Sequence, residues 1–405
     1  MGLANAKQDI QFILSFFSES FSRPSFKMFS SFIMGFIQLG KEVHTSSMVQ
    51  SLTGSFFHRS LSSFTRFLGQ NVWTVQEVTQ IALHQFFCTL CIKTQSVLFL
   101  IIDDTLVPKT GNKIPGCAWH KDHAQNMANV FGHQWVLSAL LYQGFLLPLW
   151  AKLYHPKGTR GCGPFQTKII LAKKIIKELV LPVPCRLYLL ADSWYWAKAL
   201  VRVCRACGYH MISQLKSNSV LWIHGNKTKV SALLAVASSY REVSIFLYGK
   251  TKKLRIARFV GEIKDLGKVA VVVVQEKRKK PIYLVCTHLH LPAIDVVRYY
   301  AKRWKIEQMI KDVKQRLGFG HYQVRDLYAI ERHVALALLS YFVLILLKAL
   351  QWLRDKDRAL DFSIRLLAFH VRKYVLLENI TVTLNNMKVQ FKQNILDTYL
   401  EQLCA

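Results

Sequence analysis

Two short stretches constrain the fold of this chain more than any others. Residues 97–102 and 187–191 are apolar throughout, and each runs directly into acid: Asp103–Asp104 after the first, Asp192 after the second. A strand with one wet face alternates polar and apolar residues. A strand that is apolar at every position is covered on both faces, as at the centre of an α/β sheet. In open sheets of that kind functional groups gather at strand ends. Two buried strands that each end on an aspartate therefore point to one shared site.

The surrounding segments supply an α/β layout. Strand-like runs at 133–142 and 145–155, an amphipathic helix at about 165–180, a helix at 194–207 and a strand at 210–215 give the order β–β–β–α–β–α–β. Residues 1–95 read as a helical N-terminal domain, with Phe12, Ile13, Phe16, Phe17 and then Phe29, Phe32, Ile33, Phe36 at helical spacing. A turn at Thr53–Gly54 and a polar helix at 58–68 carrying Arg59 and Arg66 outline a helix-turn-helix that would read DNA ends. A plain three-helix bundle has the same outline, so both remain open. Residues 217–290 hold short strand-like stretches between Lys- and Gly-containing turns, as in a β-rich insertion, with a basic run at Lys277–Lys280. That run is either a solvated hairpin tip or a loop that contacts phosphate. Residues 291–353 return to helices, and 354–405 form a C-terminal region.

Charge narrows the partner. Against 24 Asp+Glu the chain carries 54 Lys+Arg, a formal charge of +30 over 405 residues, yet half of it is hydrophobic. This is a folded protein that repels itself, and a polyanion relieves the repulsion. Nucleic acid comes first; a membrane surface is second. The longest apolar run, 334–347, has about 14 residues, short of the roughly 20 that span a bilayer, and reads as a core helix. The N-terminus lacks the order of a secretory signal. Nine cysteines, mostly inside apolar runs, suit a reducing compartment. The expectation is a soluble, intracellular protein without a membrane partner. Cys88/Cys91 and Cys204/Cys207 have C-x-x-C spacing, which reads either as a zinc site or as small buried residues on helices. His120, His123 and His133 have no strict ligand spacing.

The most informative segment is 300–314. At about 100° per residue, Tyr300, Arg303, Glu307 and Lys314 share an arc of roughly 60° on one helix, while Ile306, Met309, Ile310, Val313 and Leu317 form a separate apolar face. Alone, the stripe could be a solvated face with an Arg303–Glu307 ion pair. With Asp103 and Asp192 it makes three carboxylates, a hard-oxygen site for Mg²⁺ or Mn²⁺. Two such ions can activate a water and stabilise the leaving oxygen in phosphodiester cleavage. Arg303 and Lys314 would hold phosphates, and Tyr300 could bond another.

The spacing Y-x2-R-x3-E-x6-K, met by Tyr300, Arg303, Glu307 and Lys314, resembles the signature of bacterial insertion-sequence transposases of the DDE class, in the group with a Tyr-Arg-Glu-Lys third motif. Asp103–Asp104–Thr105 resembles that group's first motif, and Ala191–Asp192–Ser193–Trp194–Tyr195 its second. The resemblance covers about residues 96–350. It implies a ribonuclease-H-like catalytic domain with a β-rich insertion. Relatives cut both ends of a mobile element, bounded by terminal inverted repeats, and join them to target DNA with two Mg²⁺ ions, for which Mn²⁺ can substitute. They usually act as homodimers on paired ends, in the bacterial cytoplasm beside the nucleoid.

By that resemblance Asp103 would bridge both metals, Asp192 would bind one and Glu307 the other. Consecutive strand residues face opposite ways, so only one of Asp103 and Asp104 can face the metals, and the spacing to Thr105 favours Asp103. Many members pass through a hairpin with a flipped base. Trp222 and Trp304 are candidates to stack on it, or else core residues. Lys109 and Lys113, after the first strand, would grip the DNA backbone or lie in an ordinary exposed loop. Two alternatives accompany the transposase: a catalytically silent DNA-binding descendant, and a ribonuclease-H-like nuclease without strand transfer.

Overall fold

A computed structural model describes residues 3–40, 60–111, 113–122, 128–236, 240–354, 363–373 and 375. Among the described residues four helices come first: α1 (Leu3–Ser15), α2 (Arg23–Leu39), α3 (Leu61–Gly69) and α4 (Val75–Thr89). Local chemistry sets their ends. The Ser22 side chain accepts from the Ser25 amide to open α2, and Gly40, at φ +60°, closes it. Thr74 accepts from the Glu77 amide to open α4. The aromatic stripe Phe29, Phe32, Ile33 and Phe36 is fully buried.

The central sheet begins with β1 (Val97–Pro108), β2 (Ala118–Asp122), β3 (Ala128–Tyr142) and β4 (Phe145–Tyr154). Helix α5 (Lys168–Glu178), strand β5 (Arg186–Ala191), helix α6 (Lys198–Ala206) and strand β6 (His210–Leu215) follow. The five core strands lie in the order β4-β3-β1-β5-β6. β1 is antiparallel to β3 and parallel to β5, and β5 is parallel to β6. An antiparallel triplet flanked by two strands parallel to the first is the ribonuclease-H-like arrangement. The run 97–102 is central, with residues 98 and 100–102 at 0 % exposure.

Two details depart from the sequence reading. β1 does not stop at Ile102 but continues to Pro108, because β3 pairs with it as far as Pro108↔Gly132. The β5 partnership, in contrast, ends at Ile101↔Leu190. Asp103 and Asp104 therefore sit inside a strand, where it has just lost one neighbour. At the far end the two strands approach so closely that a Cβ on Gly132 would lie 2.1 Å from the Val107 carbonyl oxygen, which requires glycine. The helix expected from 194 starts only at Lys198, since residues 194–197 are taken up by a turn around Asp192.

The 217–290 segment forms β7 (Val220–Ile223), β8 (Asn226–Lys229), the one-turn α7 (Leu233–Val236), β9 (Arg241–Leu247), β10 (Lys250–Ile263), β11 (Gly267–Glu276) and β12 (Ile282–Cys286). These strands extend the same sheet: β12 pairs antiparallel with β6 along Tyr283↔Leu215 to Cys286↔Ile212. Alternation on β11 serves two cores. Val269, Val271 and Val273 enter a small cluster with Leu221, Val230 and Leu233, while Ala270, Val272 and Val274 join the main core.

The chain then forms α8 (Ala293–Ala301), α9 (Trp304–Arg316) and α10 (Leu327–Arg354). α10 is long and apolar enough to cross a membrane, but 89 % of its most apolar window is buried. It is packed against α1, α2, α3, α4 and β4, so the N-terminal helices share one core with the α/β body. Arg332 on α10 pins this contact. Fully buried, it donates to the carbonyls of Phe67, Leu68, Asn71 and Trp73 and lies between the Trp73 and Tyr328 rings. Arg332→Met keeps most of the volume but strands these carbonyls, each worth about 1–3 kcal/mol when unsatisfied. We expect a loss of roughly 3 kcal/mol or more in urea unfolding; an unchanged midpoint would show that the carbonyls find other donors.

Candidate active site at the open edge of β1

The three acids singled out in the sequence arrive on separate elements: Asp103 on β1, Asp192 just past β5, Glu307 in the first turn of α9. Asp103 and Glu307 are joined by Arg303, which donates to Asp103 Oδ2 at 2.8 Å and to Glu307 Oε1 at 2.5 Å. Their side chains are largely sheltered, with 17 % exposure for Asp103, 20 % for Arg303 and 34 % for Glu307. Asp103 Oδ1 also accepts from the Asp104 amide at 2.9 Å. Asp192 caps its own turn, with Oδ1 accepting from the amides of Trp194 at 2.9 Å and Tyr195 at 3.3 Å. Burial pushes the Asp103 carboxyl up to about 6; Arg303 opposes this, and the charges of Asp104 and Asp192 add to it.

Asp103 and Asp104 diverge as strand residues must. Asp104 turns the other way, where Lys168 Nζ of α5 lies 2.5 Å and Gln134 Nε2 of β3 2.6 Å from its Oδ2. Asp103 is the member of the pair on the side of Arg303 and Glu307.

The third motif is not one helix. Tyr300 lies in the last turn of α8, and the chain passes into α9 through tight i→i−3 bonds at Lys302, Arg303, Lys305 and Ile306. Its apolar members Ile306, Met309, Val313 and Leu317 are buried as one face. Tyr300 is half-buried beside Arg303, and burial pushes its hydroxyl up to about 12.

Several basic residues are engaged within the protein. The Arg303 guanidinium, expected on phosphate, is taken up by two carboxylates. Lys314 donates to the Leu106 carbonyl of β1 at 2.5 Å. Lys109 donates to the carbonyls of Gly320 and Tyr322 at 2.6 and 2.9 Å and lies 3.4 Å above the Tyr322 ring, so it is a corner brace rather than an exposed loop cation. Burial lowers its pKa to about 8. Lys113 and Arg66 are exposed; Arg59 and His123 lie outside the described residues. Trp222 and Trp304, at 41 and 47 % exposure, are surface rather than core residues. His133 engages both ring nitrogens, with the Tyr322 hydroxyl at 2.6 Å and the Pro115 carbonyl at 2.8 Å. Cys204 is buried on α6, while Cys88, Cys91 and Cys207 are exposed.

Sequence reasoning passed over the far side of the cluster. Tyr195 is fully buried, its hydroxyl donating to Asp104 Oδ1 at 3.5 Å. Trp194, half exposed, stacks near Lys168, and Tyr248 of the β9–β10 turn packs edge-on against Trp304. The Asp-x-x-Tyr spacing after Asp192 was the available signal for Tyr195.

The donor chemistry fits a divalent cation: the candidate ligands are all carboxylate oxygens. Asp103 is a buried acid with too little positive charge around it to keep an ordinary pKa. Glu307 is linked to Asp103 through the intervening Arg303, and among the described residues no three His, Cys, Asp or Glu side chains are gathered closely enough to hold a metal ion as they stand.

A family model for the transposase DDE domain matches residues 98–343, from the start of β1 to the middle of α10. That is well over half of the chain, which therefore belongs to this family; divalent metal use is general in it. No curated protein matches the chain. Among solved structures, a piggyBac transposase synaptic complex with hairpin DNA, determined by cryo-electron microscopy, is 12 % identical. The match covers 94 % of this chain and 76 % of that one at a TM-score of 0.45.

In the metal-free protein, Asp103 takes up a proton near pH 6, against 3.8 for an unperturbed aspartate. The native state thus binds this proton more tightly than the unfolded chain does. The Asp103 contribution to stability should therefore rise as pH falls from about 6 to about 4. Unfolding free energies of wild type and Asp103→Asn across that range test it; a pH-independent difference means an ordinary carboxyl.

Proposed function

We propose that this chain is a cut-and-paste DNA transposase of a bacterial insertion sequence, in the group with the Tyr-Arg-Glu-Lys third motif. In this reading it cleaves the ends of its element and joins them to target DNA. The observation that carries the reading is the Arg303 bridge, which ties Asp103, 200 residues earlier in the chain, to Glu307 beside a turn that holds Asp192. The family match, which spans all three acids, supports it.

Asp103, Asp192 and Glu307 would hold two Mg²⁺ ions, with Mn²⁺ able to substitute. Bound there, the ions would lower the pKa of a water and neutralise charge on the leaving oxygen, and the same site can use a DNA 3′-hydroxyl as nucleophile. The chain's own groups bind and orient. Arg303, on leaving its carboxylates, would meet a phosphate next to the reacting bond, with Tyr300 and the exposed Lys113 beside it. Lys109 and Lys314 act indirectly, by holding the backbone around β1. The exposed Trp304 and Trp222 would stack on an unpaired base. Arg66 on α3 is available to a DNA end. The partners would be double-stranded DNA bearing terminal inverted repeats, target DNA, and a second copy of the chain on the paired end, in the bacterial cytoplasm.

Incubation of the full chain with end fragments and Mg²⁺ tests the reading. We expect end-specific cleavage and strand-transfer products, with losses of about a thousandfold or more in Asp103→Ala, Asp192→Ala and Glu307→Ala, since an electrostatic partner of the reacting charge is removed. Cleavage without joining favours the nuclease. Tight end binding with no chemistry under any metal favours the silent descendant. Undiminished cutting by Asp192→Ala overturns the mechanism.

A further inference from the structure

Asp104 has no part in the metal set above, yet more donors converge on it than on either neighbour. Lys168 from the first turn of α5 and Gln134 from β3 donate to one carboxylate oxygen, and the Tyr195 hydroxyl donates to the other at 3.5 Å. Asp104 and Lys168 are only 21 and 14 % exposed. Two of these partners lead to Asp192. Tyr195 closes the turn whose amides hold Asp192 Oδ1, and the Lys168 ammonium lies 5.3 Å from the centre of the Trp194 ring in the same turn. On its other side, the Asp104 amide holds Asp103 Oδ1. One residue thus touches Asp103 directly and reaches the Asp192 turn through Tyr195 and Lys168, without facing the site.

We propose that Asp104 is a positioning residue for the cation site: it fixes the Asp192 turn against β1 so that the oxygens of Asp103 and Asp192 are presented together. The inference rests on the assignment of those two acids as metal ligands. Its physical basis is that β5 no longer pairs with β1 at this point, so no backbone ladder holds Asp192 in register with Asp103. Side chains must do it. A charged acceptor suits the task because Lys168, nearly buried, needs a counter-charge, and because the Tyr195 hydroxyl sits in a wholly buried ring. Residues behind metal ligands commonly set affinity by about 10–100-fold when removed.

The test is Mn²⁺ binding to the full-length, DNA-free protein, followed by the paramagnetic resonance of free Mn²⁺. The metal dependence of end cleavage is measured alongside. Asp104→Asn should weaken Mn²⁺ binding about tenfold or more and raise the half-saturating metal concentration equally, while the rate at saturating Mn²⁺ and the affinity for end DNA stay within a few-fold. Tyr195→Phe, which keeps the buried ring, should move the metal dependence in the same direction by a smaller factor. If Asp104→Asn does not fold, Tyr195→Phe decides. A variant that melts earlier but binds Mn²⁺ like wild type overturns the proposal, because a merely structural role predicts that outcome. Loss of Mn²⁺ binding in Asp104→Asn with retention in Asp103→Asn also overturns it, making Asp104 the ligand. Wild-type binding in both Asp103→Asn and Asp192→Ala instead refutes the underlying metal assignment.

Discussion

The architecture turns on β1 losing one of its two partners. As far as Ile101 the strand is sealed between β3 and β5; beyond it only β3 remains. A strand edge that is open yet lies in the middle of a sheet is a cleft with a rigid wall. The chain fills that edge with side chains instead of backbone. Lys314 takes the Leu106 carbonyl, Arg303 takes Asp103, and Lys109 ties the end of the strand to the carbonyls at Gly320 and Tyr322. Each comes from, or reaches toward, the segment carrying the third motif. The long separation in sequence between first and third acids is closed at this edge.

The electrostatics follow the same geometry. Each member of the aspartate pair has one cationic side chain turned toward it. Arg303 serves Asp103 on one side of the strand, and Lys168 serves Asp104 on the other. The balance is uneven. Arg303 is shared with Glu307, so Asp103 stays under-compensated and burial prevails over attraction in setting its pKa. Such an acid has a standing demand for further positive charge.

The parts of this fold that were legible in sequence were those with strong periodicity or uninterrupted hydrophobicity. Runs 97–102 and 187–191 gave the central strands, and the face Ile306, Met309, Val313, Leu317 gave the buried side of α9. The extension of β1 to Pro108 was hidden because its later residues gain their strand character from pairing with β3, a non-local cause. The break between α8 and α9 carries no proline or glycine to announce it. Lys109 illustrates a different limit. A lysine in a Gly-containing loop looks solvent-facing, and only the distant Gly320–Tyr322 segment makes it a buried brace. Of the site, residue types, spacings and the Arg303–Glu307 pair were readable, but the pairing of Arg303 with Asp103 and the role of Tyr195 depend on contacts across many tens of residues.

The junction between β12 and β6 carries a consequence for anyone wishing to trim the molecule. An insertion joined by loops alone can be excised as a cassette. Here the inserted strands continue the sheet by hydrogen bonds from Tyr283 to Cys286, and among the described residues β6 has β5 as its only other neighbour. Removing them would lay bare the N–H and C=O groups of β6, a strand two places from β1 and one from the Asp192 turn. Such an uncovered edge invites pairing between molecules. The appended sheet is thus a lid on a sticky seam, and a minimal catalytic unit would need a replacement strand in that position before it could stay monodisperse.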